Sequence, residues 1–312
     1  METKSTPLIA NAFQGVTPKN ERVMSALIED FLEYARYELN FSPQTIIKYR
    51  DSLKCFVRDV GDKPVEQFDV MDFVRLKKAM MERGLSEARI ASVVYATRSF
   101  MSYCQNFLKL SVVDPKSIRP PRIYRREVIY LKKEEVETFV NVIDTTKWNG
   151  LRFKALVEVL LGTGMRIGEL LSINRKDIDW DKLEAKIVGK GNKERTIFFN
   201  ERSLEWLRKY LENRNDLHEA LFVTKKPTGR MHRDDIWRFF DYYRKKAHIN
   251  KKLTPHILRH TVATNLIFNG CPIVHVKEIL GHERLDTTCK YYLGVDKEQA
   301  KKAHGQYLDF AR

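Results

Sequence analysis

Residues 178–199 read IDWDKLEAKIVGKGNKERTIFF, and this stretch holds the β-like runs of an otherwise helical sequence. The runs cover residues 178–180, 184–188 and 195–199, and the turn sequence Gly-Lys-Gly-Asn separates the last two, as in a hairpin. On both sides of the stretch, apolar residues repeat every three or four positions, which is the helical period. The sequence therefore predicts a mainly α fold with a small antiparallel sheet, of the α+β class.

The region before this stretch predicts a small helical domain over residues 21–110. Residues 1–20 are polar and show no periodicity, so they predict a flexible arm. Four helix starts are expected, and they lie at Val23, Ser42, Asp69 and Ser86. The apolar positions of the fourth helix extend through Phe107.

A linker and a second domain follow. Residues 111–127 hold three prolines and five basic residues with little apolar content, which is typical of a stiff, extended linker. We place the linker at residues 111–128 and the second domain at residues 129–312. A plain surface tether and a segment that lies along a DNA backbone are both compatible with this composition.

The chain has 312 residues, a length that suggests two domains, and a formal net charge of +15. A basic excess of this size favours a polyanionic partner, because lysine and arginine release counterions when they meet phosphates. For any single residue a solvated surface is the simpler interpretation, and a membrane surface is an alternative partner. The residues assigned to DNA contacts are Lys48, Arg50, Lys54, Arg89, Arg98, Arg122, Arg125 and Arg126.

Membrane, secreted and zinc-binding proteins are disfavoured. No run of 18 apolar residues is present, and the N-terminus lacks the basic start and apolar run of a secretory signal. Cys55, Cys104, Cys271 and Cys289 form no CxxC pair, which argues against a zinc site and against a disulfide framework. The sequence therefore predicts a cytoplasmic protein without a metal.

Two segments of the second domain present a basic residue at a glycine turn. Residues 162–171 place Arg166 at the start of a helix, with Glu169 one turn further on to orient its guanidinium. The hairpin turn at residues 188–195 carries Lys190 between two glycines, where the backbone can approach a ligand closely. Each pattern alone is also typical of an ordinary surface turn.

Two further segments carry histidine, arginine and tyrosine. Thr254 and a following proline predict a helix start, after which His256 and Arg259 share one face. His260 stands one turn beyond His256, but HExxH is absent and Arg259 would repel a cation, so zinc is disfavoured. The last segment, at residues 280–292, has Gly281 ending one helix and two tyrosines on or near the next, where a buried aromatic pair is the usual explanation.

Taken in order, TGMRIGEL, GKGNKER, HILRHT and LGHERLDTTCKYY resemble the signature of the tyrosine recombinases (phage integrase family), and of Xer-like members in particular. The resemblance implies a helical core-binding domain followed by a catalytic domain. It makes Arg166 and Arg259 the phosphate-binding arginines, Lys190 the general acid and Tyr291 the nucleophile, with Glu169 in support. His256 and His282 match the two histidines of the family.

One departure concerns the nucleophile. The family often has a Thr-His or Ser-His pair after its tyrosine, whereas Tyr292 follows Tyr291 here. The distance along the chain from His282 places Tyr291 in register, and Tyr292 is the alternative nucleophile.

The resemblance implies cleavage and rejoining of DNA through a 3′-phosphotyrosyl intermediate, with no cofactor. Fixed positive charge from arginine and histidine replaces a metal at the phosphate, and the covalent bond conserves the ester so that no ATP is needed. The partners implied are a double-stranded recombination site and a tetramer of this chain on DNA, at the nucleoid, with the C-terminal segment contacting a neighbouring subunit. An accessory DNA-binding protein is compatible with this picture.

Other functions are weighed against this one. A type IB topoisomerase-like activity uses a similar chemical set, and a catalytically silent DNA-binding protein would share the basic surface. A metal-dependent nuclease would need clustered carboxylates, which the sequence does not show. Integration or excision of a mobile element and Xer-type dimer resolution stay open, because they use the same chemistry.

Overall fold

The computed structural model describes residues 23–123, 128–189, 194–224, 229–281 and 304–305. The chain divides into two compact units, residues 1–125 and residues 126–312. The predicted arm at residues 1–20 lies outside the described residues. None of the helices within the described ranges is both long and apolar enough to span a membrane.

The first unit consists of four helices whose starts agree with the predicted ones. They are α1 (Met24–Tyr37), α2 (Pro43–Val60), α3 (Val70–Glu82) and α4 (Glu87–Asn106). The side chain of Asp69 accepts a hydrogen bond from the backbone N–H of Asp72 (2.9 Å), and Ser42 and Ser86 cap α2 and α4 in the same way. These caps satisfy N–H groups that a helix start otherwise leaves unpaired.

Aromatic side chains fill the space between the four helices. Phe31 of α1 and Phe100 of α4 are fully buried and meet edge to face, with ring centroids 5.5 Å apart. Phe56 of α2 contacts Phe73 of α3 at 5.2 Å. Phe107, predicted within the fourth helix, is its C-cap, with a helical backbone conformation and an N–H that donates to the carbonyl of Tyr103, and it is 49% exposed.

The segment predicted as a linker is not extended throughout. Val112 and Val113 pack against the core of the first unit, residues Pro115–Ser117 form a turn of 3₁₀ helix, and Ile118 is only 1% exposed. The side chains of Val112, Val113 and Ile118 explain this compact path, since their burial removes apolar surface from water. The first part of residues 111–128 therefore belongs to the first unit, while residues 124–127 lie outside the described residues.

The second unit is mainly helical with one small sheet, as predicted. Its helices are α5 (Lys133–Asn141), α6 (Trp148–Thr163), α7 (Ile167–Ser172), α8 (Glu201–Glu212), α9 (Arg233–Lys246), α10 (Pro255–Phe268) and α11 (Ile273–Leu280). The strands are β1 (Ile178–Asp179), β2 (Glu184–Val188) and β3 (Glu194–Phe198), which form an antiparallel sheet in the order β1-β2-β3. Val188 pairs with Glu194, which confirms that β2 and β3 are the arms of a hairpin.

Helix α6 is the centre of the second unit. Its Phe153 is fully buried, stacks on Tyr243 of α9 at 5.1 Å and meets Phe240 edge to face at 5.2 Å. The buried Glu158 of α6 accepts two hydrogen bonds from Arg202 of α8, at 2.9 and 2.8 Å. Because α6 is packed on several sides, its C-terminal end has a defined position. The segment at residues 162–171, which carries Arg166, begins at that end.

Candidate active site

The glycine turn after α6 passes close to α11. Gly164 ends α6 with φ of +63°, a conformation that other residues adopt only at a cost. A Cβ atom at this position would lie 2.7 Å from Cδ2 of Leu280 and 3.0 Å from Cγ1 of Val262. Glycine therefore allows the turn to contact α10 and α11 together, and two residues later the chain places Arg166 at the start of α7.

Arg166 is held by Glu169, as predicted from their spacing. The carboxylate accepts from the backbone N–H of Arg166 and from its Nη1, both at 2.8 Å. Burial by itself would raise the pKa of Glu169, but the backbone N–H of Arg166 and the charges of Arg195 and Arg166 outweigh it and lower the pKa below its ordinary value. Glu169 therefore stays ionised at neutral pH and fixes the guanidinium.

Arg259 joins the glycine turn to α11. It lies in α10, whose start is capped by Thr254, and it is only 5% exposed. Its Nη1 donates to the carbonyl oxygen of Gly164 (2.8 Å) and its Nη2 to that of Leu280 (2.6 Å). These two bonds hold the guanidinium between the glycine turn and the end of α11.

Three arginines converge on the C-terminal end of α11. Arg195 donates to the carbonyl of Ile279 (3.0 Å), Arg259 to that of Leu280, and Arg166 to that of Gly281 (2.9 Å). The last carbonyls of a helix have no intrahelical partner and carry partial negative charge, which suits cationic donors. Gly281 ends the helix in the left-handed conformation, as expected, and the next residue in the chain is His282.

His256 lies on α10 near these arginines, and its side chain reaches the surface. Partial desolvation of the ring, followed by the charges of Arg259, Arg233 and Arg166, lowers the pKa of His256 below 6.5. The imidazole is therefore mainly neutral at neutral pH and can accept a proton.

His260, one turn along α10, provides a test of stability against pH. Burial, together with the charges of His256 and Arg259, lowers its pKa to about 4. Since the unfolded chain takes up this proton near pH 6.5 and the folded chain does not, the second unit should lose stability as the pH falls from 6.5 towards 4. The upper limit of the effect is about 3 kcal/mol, and partial exposure of the ring reduces it.

We expect His260→Gln to weaken this pH dependence. All four tryptophans of the chain are in the second unit, so denaturant unfolding followed by tryptophan fluorescence reports on that unit alone. The free energy of unfolding should be compared between wild type and variant at pH 7 and pH 5. An equal loss in both proteins would contradict the role of His260.

The structure does not describe every residue of the predicted catalytic set. Arg166 and Arg259 meet at the end of α11, Glu169 is bonded to Arg166, and His256 lies near both arginines. Lys190, His282, Tyr291 and the alternative Tyr292 lie outside the described residues.

The predicted DNA-contact residues of the first unit fall into different settings. Lys54 and Arg89 line a cavity of about 470 Å³, together with Arg58 and Arg83. In contrast, Arg50 makes a two-pronged ion pair with Glu29 at 3.0 and 2.7 Å. Lys48 and Arg122 are exposed and Arg98 is half-buried, whereas Arg125 and Arg126 lie outside the described residues.

Two arginines near the site were not predicted. Arg195 is the last residue of the GKGNKER motif, but the family resemblance assigns a role only to the first lysine of that motif. Arg233, at the start of α9, acts on His256 through its charge, and no sequence pattern points to it. Among the described residues, no group of three or more histidine, cysteine or acidic side chains is arranged to hold a metal ion.

Comparison with known proteins finds a family match in each of the two units. Residues 130–299 match the phage integrase family, and residues 28–106 match the phage integrase N-terminal SAM-like domain. The chain therefore belongs to the phage integrase family of tyrosine recombinases, which are site-specific DNA strand-transfer enzymes. The topoisomerase-like and catalytically silent alternatives are not favoured.

Individual relatives of the chain include Xer recombinases. The chain is 31% identical over 294 residues to tyrosine recombinase XerD of Staphylococcus epidermidis, which covers 91% of this chain and 99% of that protein. Two solved structures share its fold. They are a Tn1549 transposon integrase in complex with a circular intermediate DNA (TM-score 0.74, 20% identity, 90% and 98% of the two chains) and the XerH recombinase bound to a palindromic difH substrate (TM-score 0.71, 22% identity, 90% and 84%).

Proposed function

We propose that this recombinase cleaves each DNA strand by attack of Tyr291 on a phosphodiester that Arg166 and Arg259 hold. The observation that carries the proposal is the convergence of these two guanidiniums on adjacent carbonyls, Leu280 and Gly281, directly before His282. Two arginines that lie far apart in the sequence and meet at one helix end form a cationic site suited to a phosphate group.

The charges at this site suit the transition state of phosphoryl transfer. Negative charge then develops on the non-bridging phosphate oxygens, and guanidinium groups stabilise it through charge-assisted hydrogen bonds. Arg259 donates to the carbonyls of Gly164 and Leu280, and Arg166 donates to the carboxylate of Glu169 and to the carbonyl of Gly281. These bonds hold both guanidiniums at one helix end, where they can donate to the oxygens of a phosphate.

Proton transfer completes the step. A phenol has a pKa of about 10, so Tyr291 must lose its proton as it attacks, and the neutral His256 is a suitable acceptor. Lys190 donates a proton to the departing 5′ oxygen, while His282 adds a further donor to the phosphate. A 5′ hydroxyl from a partner strand then attacks the 3′-phosphotyrosine, which releases Tyr291 and joins the strands.

The first unit contributes contacts to the DNA backbone. The cavity lined by Lys54, Arg58, Arg83 and Arg89 concentrates four cationic side chains, against Asp51 in its lining and Asp59, which Arg58 and Arg83 share. The surplus of positive charge favours phosphates over a neutral surface. Lys48, Arg98 and Arg122 are proposed as further contacts, and residues 21–110 as the core-binding domain that presents them.

The likeness to Xer proteins supports a proposal for how this chain assembles and for its cellular role. We propose that four copies act on two DNA sites in the cytoplasm, at the nucleoid, with the segment at residues 295–312 packing on a neighbouring subunit. The likeness to XerD favours dimer resolution over integration or excision of a mobile element. An accessory DNA-binding protein is compatible with either role.

A nicked suicide substrate tests the proposal directly. Duplexes from the neighbourhood of the gene, nicked so that the short cleaved fragment diffuses away, should trap a covalent protein–DNA band. The band should survive denaturant, form equally with EDTA, and yield a modified peptide that contains Tyr291. Binding without any covalent band, on sites that recombine in cells, would contradict the proposed cleavage.

A further inference from the structure

Arg195 occupies a central place in the candidate site, although the family resemblance assigns it no role here. It is the second residue of β3, and its side chain is only 14% exposed. Its Nη1 donates to the carbonyl of Ile279 (3.0 Å) and its Nη2 to Oε2 of Glu169 (2.8 Å). Arg195 thus ties the hairpin to the end of α11 and to the carboxylate that holds Arg166.

The backbone of α11 leaves room for this side chain. A Cβ atom on Gly281 would lie 2.6 Å from Nε of Arg195 and 2.7 Å from its Cζ. The guanidinium therefore lies against the backbone of the helix end, at a distance that any other residue at 281 would prevent. Its buried Nε has no hydrogen-bond partner among the described residues, which is a cost that the contacts on both Nη atoms offset.

Glu169 divides its two oxygens between two arginines. Oε1 accepts from Nη1 of Arg166, while Oε2 accepts from Nη2 of Arg195 and from the backbone N–H of Arg166. Each arginine thus limits the rotation of the carboxylate that the other one uses. Without Arg195, the buried Glu169 would keep Arg166 as its one described cationic partner, and the orientation of the Arg166 guanidinium would be less firmly fixed.

Arg166 and Arg195 differ in exposure, which indicates different roles. The side chain of Arg166 is 36% exposed and can reach a bound phosphate, whereas Arg195 is enclosed and has both Nη atoms engaged with the protein. We propose that Arg195 is a positioning residue for DNA cleavage, which acts by fixing Glu169 and the end of α11 and thereby orienting Arg166. This inference rests on the proposed role of Arg166 at the phosphate.

The experiment is a double-mutant cycle on the suicide substrate. Single-turnover rates of covalent adduct formation are measured for wild type, Arg195→Met, Arg166→Ala and the double variant. Because a displacement of about 1 Å in a catalytic group costs about 100-fold in rate, we expect Arg195→Met to cleave about 100-fold more slowly. The dissociation constant for DNA should change by less than about threefold, since the first unit and the remaining charges still bind the backbone.

The decisive result is the lack of additivity. If Arg195 acts through Arg166, the double variant should cleave no more slowly than Arg166→Ala, because the orientation of an absent side chain is of no consequence. Arg195→Lys, which keeps one cationic donor, should recover part of the lost rate. The proposal would be overturned if the rate losses of the two single variants multiplied in the double variant, or if Arg195→Met cleaved at the wild-type rate.

A matched control separates positioning from stability. Arg214, in the same unit, is fully buried and also donates to a carboxylate (Asp216) and to backbone carbonyls, but away from α11. Arg214→Met should lower the unfolding temperature seen by tryptophan fluorescence and leave the cleavage rate of the folded protein within about threefold. If Arg195→Met does not fold, the cycle is run with Arg195→Lys. A wild-type protein that forms no adduct would instead refute the proposed function.

Discussion

Replacing Tyr291 by phenylalanine is expected to abolish the covalent protein–DNA adduct while leaving DNA binding unchanged. The substitution removes one oxygen atom, the one proposed to bond to phosphorus, and preserves the apolar ring. No other described group of the site can replace it, because arginine and the neutral His256 do not form a stable phosphodiester. Adduct formation on the nicked duplex should fall by more than about 1,000-fold, and the dissociation constant should stay within about twofold.

Tyr292→Phe is the matched control for this substitution. It makes the same chemical change one residue further along the chain and should retain at least about half of the wild-type rate. The reverse pattern, with a normal adduct from Tyr291→Phe and none from Tyr292→Phe, would assign the nucleophile to Tyr292. The adduct peptide, identified by mass spectrometry, distinguishes the two positions independently.

Arg259→Lys is expected to reduce the rate of adduct formation by about 100- to 1,000-fold. Lysine keeps the positive charge but presents a single nitrogen, which cannot donate to Gly164 and Leu280 in the fixed geometry of the guanidinium and still bind a phosphate. The loss should appear in the cleavage rate more than in affinity, because the remaining basic surface binds the DNA backbone. Single-turnover kinetics together with a binding titration measure both quantities.

An exposed arginine on the same unit serves as its control. Arg238 of α9 is exposed, so Arg238→Lys should leave the cleavage rate within about twofold of wild type. Unfolding of each variant, followed by tryptophan fluorescence, verifies that the second unit is folded at the assay temperature. A cleavage rate for Arg259→Lys within threefold of wild type would contradict the role of the forked guanidinium.

The features that the sequence predicted correctly depend on contacts between near neighbours in the chain. The helix caps at Ser42, Asp69 and Ser86 bond to residues three positions away, and so does Glu169 to Arg166. Such contacts follow from helical geometry, because positions three apart face each other on one side. The hairpin was likewise set by a short turn between two β-like runs.

The features that could not be predicted from the sequence depend on tertiary packing. The contact between Arg195 and Ile279 joins residues 84 positions apart, and that between Arg166 and Gly281 spans 115 positions. Neither follows from local periodicity, since it depends on how α6, α10 and α11 pack. The burial of Ile118 within the segment predicted as a linker has the same cause, because a proline-rich composition does not reveal which core lies beside it.

The convergence of three arginines on the end of α11 also has a consequence for entropy. A free arginine side chain has about 2 kcal/mol of rotamer entropy to lose when it is fixed in one conformation. Here the carbonyls of Ile279, Leu280 and Gly281 fix Arg195, Arg259 and Arg166 while the protein folds. The entropic cost of ordering these three side chains therefore lowers the stability of the second unit. A phosphate that binds at the site has little arginine rotamer entropy left to remove.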